Sequence, residues 1–179
     1  MKQLPKRKIV RLQEYDYASV GAYFITVCTY KKNKLLSVID HCCTGEITES
    51  ISDVGAGLPR PILSAYGKVL DEWIKKINEK YPAVCVDHYV IMPNHFHLLL
   101  SVIDDGRGNP APTINAVIAW LKYNATSQIN ALRGQKGQKV FQRSFYDHVV
   151  RKSDDYAQIV QYVQHNPLRW ELDKFYIED

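Results

Sequence analysis

The chain has 179 residues, 46% of them hydrophobic and 23% charged, an ordinary globular composition that is enough for one domain spanning residues 1–179. It contains no apolar run near the roughly 20 residues of a membrane helix. No apolar core follows its charged N-terminus, so we expect no secretory signal and a cytoplasmic protein. The net charge of +4 is only weak evidence for a nucleic-acid partner. The four cysteines form no CxxC pair, which argues against a zinc ribbon.

Apolar and β-branched patterns predict four strands and three helices. In chain order they are a strand Ala22–Tyr30, a helix from about Ser64 to Tyr81, strands Ala83–Met92 and His95–Ile103, a helix from Thr113 to Leu132, a strand Val140–Arg151, and a helix from Ser153 that ends before Pro167. His41–Pro61 is rich in Gly, Ser, Thr and Pro and is predicted to be irregular, as is the loop 104–112.

The order β-α-β-β-α-β-α predicts an α+β protein, because its first six elements match the split β-α-β of a ferredoxin-like fold. That fold has an antiparallel sheet with helices on one face, to which this chain adds a C-terminal helix. The other face of the sheet is expected to be open.

The segment YVIMPNHFHLLLSV carries two histidines one residue apart, after a Pro-Asn turn. In a strand, His95 and His97 share one face, whereas Phe96 and Leu98 point to the other. We expect the histidine face to be the open one. Two imidazoles at i and i+2 can bind one divalent cation, although they could also be polar residues on a half-wet sheet. His88 is a candidate third ligand on the same face.

A histidine pair with a hard metal suits phosphodiester cleavage, which also needs a nucleophile. Tyr123 lies nearly opposite the apolar stripe of the predicted helix 113–132, so it is not a core aromatic of that helix. Lys122 is adjacent and could contact phosphate. The alternative is an ordinary surface tyrosine, since the chain has twelve tyrosines. Leu99 occupies the third alternating position, which excludes a histidine-triad hydrolase.

These residues resemble the HUH superfamily of single-tyrosine transposases, in particular the REP-associated tyrosine transposases and their insertion-sequence relatives. YVIMPNHFHLLL is similar to the HUH (His, hydrophobic, His) signature. YFITVCTYKK, WLKYNATSQIN, VFQRSFYDHVVR and YVQHNPLRW resemble the family's first strand, tyrosine helix, fourth strand and closing helix, in the same order. The resemblance covers most of the chain and is weakest at His41–Pro61.

The resemblance implies that His95 and His97 bind Mg²⁺ or Mn²⁺ and that Tyr123 attacks single-stranded DNA. A 5′-phosphotyrosyl enzyme and a free 3′-hydroxyl would form. DNA hairpins from palindromic repeats or element ends are the implied substrate, with Arg143 or Arg151 and the basic N-terminus contacting DNA. Monomers and homodimers both occur in the wider family, and no membrane partner is implied.

One departure concerns the amide that completes the metal site about one turn after the tyrosine in such proteins. Ser127 stands at i+4 from Tyr123, and Gln128 at i+5. Alignment on Ile129-Asn130 instead makes Gln128 the ligand and places Asn124 where some relatives have tyrosine. Two other functions stay open: a nucleic-acid-binding protein with a decayed site, and a metal hydrolase that uses water.

Overall fold

The computed structural model describes residues 20–39, 61–103 and 112–178. Its strands are β1 Gly21–Cys28, β2 Ser37–Ile39, β3 Pro61–Leu63, β4 Val84–Ile91, β5 His95–Val102 and β6 Tyr146–Val150. Its α-helices are α1 Ala65–Lys75, α2 Ile77–Lys80, α3 Ile114–Leu132 and α4 Ser153–His165. Short 3₁₀ helices span Tyr30–Lys32 and Pro167–Leu172. The basic N-terminus lies outside the described residues, as do nearly all of the predicted irregular segment 41–61 and the loop 104–112.

Four strands form one antiparallel sheet in the order β4-β5-β1-β6. This is the strand order of a ferredoxin-like fold, so the predicted fold is confirmed. The register places His97 between Thr26 of β1 and Val90 of β4. Both histidines therefore lie on β5, a central strand that has β1 on one side and β4 on the other.

Helices α1 and α3 cover the sheet face that carries Phe96, Leu98 and Leu100. Both begin where the sequence predicts, because Ser64 and Thr113 accept hydrogen bonds from the first free backbone N–H groups. Their apolar stripes close the main core.

The histidine face is not open, contrary to the expectation from the sequence. Helix α4 and the segment after it pack there, with Ile159, Val163 and Trp170 against Val90 and Leu99. Burying this second apolar cluster removes hydrocarbon from water, which stabilises the docked helix. The consequence is that His95 and His97 are only 0% and 1% exposed.

The predicted fourth strand is shorter in the structure. Regular pairing covers only Tyr146–Val150, and Phe141 makes an isolated bridge to Thr29. The sequence also did not predict the two-stranded sheet of β2 and β3. Among the described helices, none combines the length and the apolarity that crossing a membrane requires.

Candidate active site

The two histidines of β5 are held by their Nδ1 atoms and meet at their Nε2 atoms. His95 Nδ1 lies 2.9 Å from Asn94 Oδ1, and His97 Nδ1 lies 2.8 Å from Thr26 Oγ1. The Asn94 amide oxygen can only accept, so His95 carries its proton on Nδ1 and presents a lone pair at Nε2. The two Nε2 atoms are 3.1 Å apart. Such partners on the far nitrogen are how metal-binding histidines are oriented in proteins.

A carboxylate that the sequence did not single out completes the cluster. Asp173 follows the 3₁₀ helix Pro167–Leu172, and its Oδ2 lies 4.0 Å from His95 Nε2. Ligand atoms of His95, His97 and Asp173 all lie within 4.8 Å of one another. No periodic pattern marks Asp173, because only the folding of the C-terminal segment over the sheet brings it to the histidines.

The donor set fits a divalent cation. Ligands at about 2.1 Å from one ion are about 3 Å apart when they stand at right angles, close to the separation of the two Nε2 atoms. Imidazole and carboxylate together suit Mn²⁺, and carboxylate suits Mg²⁺. Asn166 adds a further candidate ligand, since it is 3% exposed and its buried Oδ1 has no hydrogen-bond partner, while its Nδ2 donates to Asp173 Oδ2. A buried amide oxygen normally has a partner, which a bound cation would supply.

A tyrosine of α4 stands beside this donor set. Tyr162 Oη lies 3.5 Å from His97 Nε2 and donates to Asp173 Oδ2 at 3.2 Å. Burial and the neighbouring Asp173 raise the pKa of Tyr162 to about 12, so its phenol is protonated at neutral pH. Its side chain is still 40% exposed, so a substrate can reach it.

The exposed side of Tyr162 opens into a groove of about 870 Å³ along α4. Its walls include Phe24, His97, Gln158, Tyr162, Asn166 and Arg169. This volume is in the range of ligand-binding clefts. The groove therefore connects the nucleophile candidate, the donor set and solvent.

The buried histidines are neutral, which makes them competent metal ligands. Burial lowers the pKa of His95 to about 4, although Asp173 opposes the shift. Burial and the neighbouring His95 also hold the pKa of His97 well below its usual value.

We therefore expect the metal-free protein to lose stability as the pH falls from about 6.5 to about 4. A histidine whose folded pKa is depressed stabilises the fold above its unfolded pKa, and this contribution disappears as the unfolded chain takes up protons. His95 alone would contribute on the order of 3 kcal/mol at most. Urea unfolding in EDTA at several pH values measures this. The double variant His95→Asn, His97→Gln serves as control and should show a shallower decline; an equal decline would contradict the assignment.

The structure does not bring Tyr123 and Gln128 together with the histidine pair. Both lie on α3, which packs on the opposite face of the sheet. Tyr123 is 74% exposed, and the Gln128 side-chain oxygen accepts a hydrogen bond from Trp73 Nε1 at 2.7 Å.

The other residues singled out in the sequence are not members of the donor set. Lys122 donates to the backbone carbonyls of Gln142 and Arg143, so it ties α3 to the segment before β6. Arg143 and Arg151 are exposed on that segment and after β6. His88 shares the histidine face but pairs with Leu99, one step away from His97.

Gln128→Leu is expected to lower the free energy of unfolding by about 1 kcal/mol, because the Trp73 indole N–H loses its acceptor. The same substitution is expected to leave the affinity for Mn²⁺ unchanged. Chemical denaturation and Mn²⁺ titration measure the two effects separately. A loss of metal affinity would restore Gln128 as a ligand.

Comparison with known proteins finds one relative and several solved structures. No family model matches the chain. A protein of Haemophilus influenzae, named only as uncharacterized, is 30% identical over 96% of this chain and 94% of its own length. A REP-associated tyrosine transposase solved with a REP hairpin has 19% identity and a TM-score of 0.53, over 91% of this chain and 77% of that chain. A structure from Deinococcus radiodurans is 14% identical over 86% of this chain and 94% of that chain, with a TM-score of 0.45.

Proposed function

This chain belongs to one family with the Haemophilus influenzae protein and has the fold of a REP-associated tyrosine transposase; on that premise we propose that it is a metal-dependent DNA strand transferase. The observation that carries the proposal is the position of Tyr162 Oη, 3.5 Å from His97 Nε2 and at the edge of a groove open to solvent. The proposed nucleophile is therefore Tyr162 and not Tyr123.

His95, His97 and Asp173 would hold a divalent cation, Mg²⁺ or Mn²⁺, with Asn166 Oδ1 as a fourth protein ligand. The bound ion would polarise the scissile phosphate and neutralise charge on the leaving oxygen. Asn166 caps the C-terminus of α4 and stands four residues, about one helical turn, after Tyr162. The two side chains therefore lie on the same side of the helix. This is the tyrosine–amide spacing that the resemblance implies.

In the proposed reaction, Tyr162 Oη attacks phosphorus and the bond from phosphorus to the 3′ oxygen breaks. The phenolic proton leaves toward Asp173, which already accepts it in a hydrogen bond, and the departing 3′ oxygen takes up a proton from water. The products are a 5′-phosphotyrosine and a 3′-hydroxyl. Because the covalent ester keeps the bond energy, a 3′-hydroxyl can reverse the reaction and join strands without ATP.

We propose single-stranded DNA with a hairpin as the substrate. The structural neighbour was solved with a REP hairpin, and the groove beside Tyr162 has a volume of about 870 Å³. Arg169 and Lys174 line it, and their positive charges complement a phosphate backbone.

The test uses hairpin DNA made from palindromic repeats flanking the gene and labelled at its 3′ end, the part of the strand that a 5′-phosphotyrosine retains. It is incubated with the protein and Mn²⁺ or Mg²⁺ and separated on a denaturing gel. A labelled band at the size of a protein–DNA adduct, absent in EDTA, is the expected result. Metal-dependent cleavage without an adduct would point to a hydrolase that uses water. Binding without cleavage across a panel of hairpins would point to a nucleic-acid-binding protein whose site is silent.

A further inference from the structure

Four lysines place their ammonium groups over aromatic rings, near the end of the sheet where β1 ends and β5 begins. Lys31 and Lys139 place their Nζ atoms 5.8 and 5.4 Å from the centre of the Tyr30 ring. Lys32 and Lys174 lie 5.5 and 4.9 Å from the centre of the Phe175 ring. These four residues are called the lysine patch below.

The lysine patch adjoins the candidate active site. The Phe175 ring lies 4.7 Å from the His95 ring, centre to centre. Lys174 also lines the groove beside Tyr162. A chain of phosphates that leaves the scissile position in this direction would therefore reach the lysine patch directly.

The backbone under the lysine patch is strained. Lys31 and Lys32 have φ values of 56° and 55°, and in the described part of the chain they are the two non-glycine residues with positive φ. Consecutive left-handed residues persist only where the surroundings fix them. Here the buried Thr29 hydroxyl lies 2.8 Å from the Asn33 carbonyl oxygen and 2.9 Å from that of Asn94, which ties the turn to the start of β5.

The lysine patch has no counter-ion in the part of the chain that the structure describes. Among the described residues, none of the four lysines makes an ion pair or a side-chain hydrogen bond, and all except Lys32 are exposed. All four lysines lie over aromatic rings, and Lys31 and Lys32 also lie on the strained turn, so they have less freedom than ordinary surface lysines. Fixed, unpaired cations are suited to a polyanion, because little ordering is needed when phosphate binds.

We propose that the lysine patch is a docking site for the phosphodiester backbone of the DNA next to the scissile phosphate. The proposal rests on the proposed function for the identity of the polyanion, but its test measures binding alone. Each lysine that neutralises a phosphate displaces a counterion, so affinity should depend on salt in proportion to the number of contacts.

The experiment measures the affinity of the full-length protein for a labelled hairpin with single-stranded tails, by fluorescence anisotropy at several salt concentrations. A Tyr162→Phe background prevents turnover. Two double variants are compared with it: Lys31→Gly, Lys32→Gly, which removes charge and also relieves the left-handed strain, and Lys139→Gln, Lys174→Gln. The control is Lys80→Gln, an exposed lysine of α2 on the other side of the sheet.

We expect each double variant to make the negative slope of log K against log salt shallower by about 1.4 to 1.8. Each phosphate contact contributes about 0.7 to the magnitude of that slope for single-stranded DNA and about 0.9 for duplex DNA. The control should keep the parent slope. Unchanged slopes in both double variants, or a parent that binds no DNA, would overturn the proposal. If the slopes fall but the unsubstituted protein forms no adduct in the cleavage test, the lysine patch stands and the strand-transfer function does not.

Discussion

Tyr162→Phe is expected to abolish the covalent protein–DNA adduct, whereas Tyr123→Phe is expected to retain it. Phenylalanine keeps the aromatic ring, which makes edge-to-face contacts with His97 and Phe24. It removes the phenolic oxygen, the only atom of the side chain that can attack phosphorus. Loss of a covalent nucleophile reduces turnover by several orders of magnitude. The assay is adduct formation on labelled hairpin DNA with Mn²⁺.

The two substitutions form a matched pair because each removes one hydroxyl from a helical tyrosine. Tyr123 is 74% exposed on the far side of the sheet, so its hydroxyl is not placed to reach a phosphate bound at the histidines. An adduct that persists in Tyr162→Phe and disappears in Tyr123→Phe would require α3 to act at the site of a second molecule. That result would reject the assignment made from this structure.

His97→Ala is expected to weaken Mn²⁺ binding by at least about 100-fold and to remove the adduct. The loss exceeds the 10- to 100-fold typical of removing a residue that only orients a ligand. Thr26→Val is expected to fall in that smaller range, because it keeps the shape of the side chain but leaves His97 Nδ1 without its oxygen partner. Calorimetric titration with Mn²⁺ measures both.

The control for these substitutions is His148→Ala. His148 lies on β6, on the same face of the sheet as Phe24, but pairs with Asp155 and is not part of the donor set. It should keep the parent affinity for Mn²⁺. Equal affinities in His97→Ala and the parent would contradict a metal site at the histidine pair.

The fold and the histidine pair could be predicted from the sequence because they depend on local patterns. Alternation along β5 determines which residues share a face. The tight turn at Pro93-Asn94 sets the register of the β4–β5 hairpin, which places Val90 opposite His97. The sequence predicts an open histidine face and does not predict that α4 covers it. Leu99, Val90 and Met92 make that face too apolar to remain in water, and the stripe of Ile159 and Val163 on α4 matches it.

The sequence predicts Tyr123 as the nucleophile because its helix resembles the family's tyrosine helix. A second feature of the same sequence points to Tyr162. Of the twelve tyrosines, only Tyr162 has an asparagine or glutamine four residues later, Asn166. Asp173 could not have been found in this way, since its contact with His95 depends on the path of the chain through Pro167–Leu172.

The most direct test identifies the tyrosine that carries DNA. The adduct formed by the unsubstituted protein is trapped, digested with nuclease and trypsin, and sequenced by mass spectrometry. We expect the nucleotide remnant on the tryptic peptide Ser153–Arg169, with fragmentation placing it on Tyr162 and not on Tyr156. A remnant on the peptide Tyr123–Arg133, or on any other residue, would contradict this assignment.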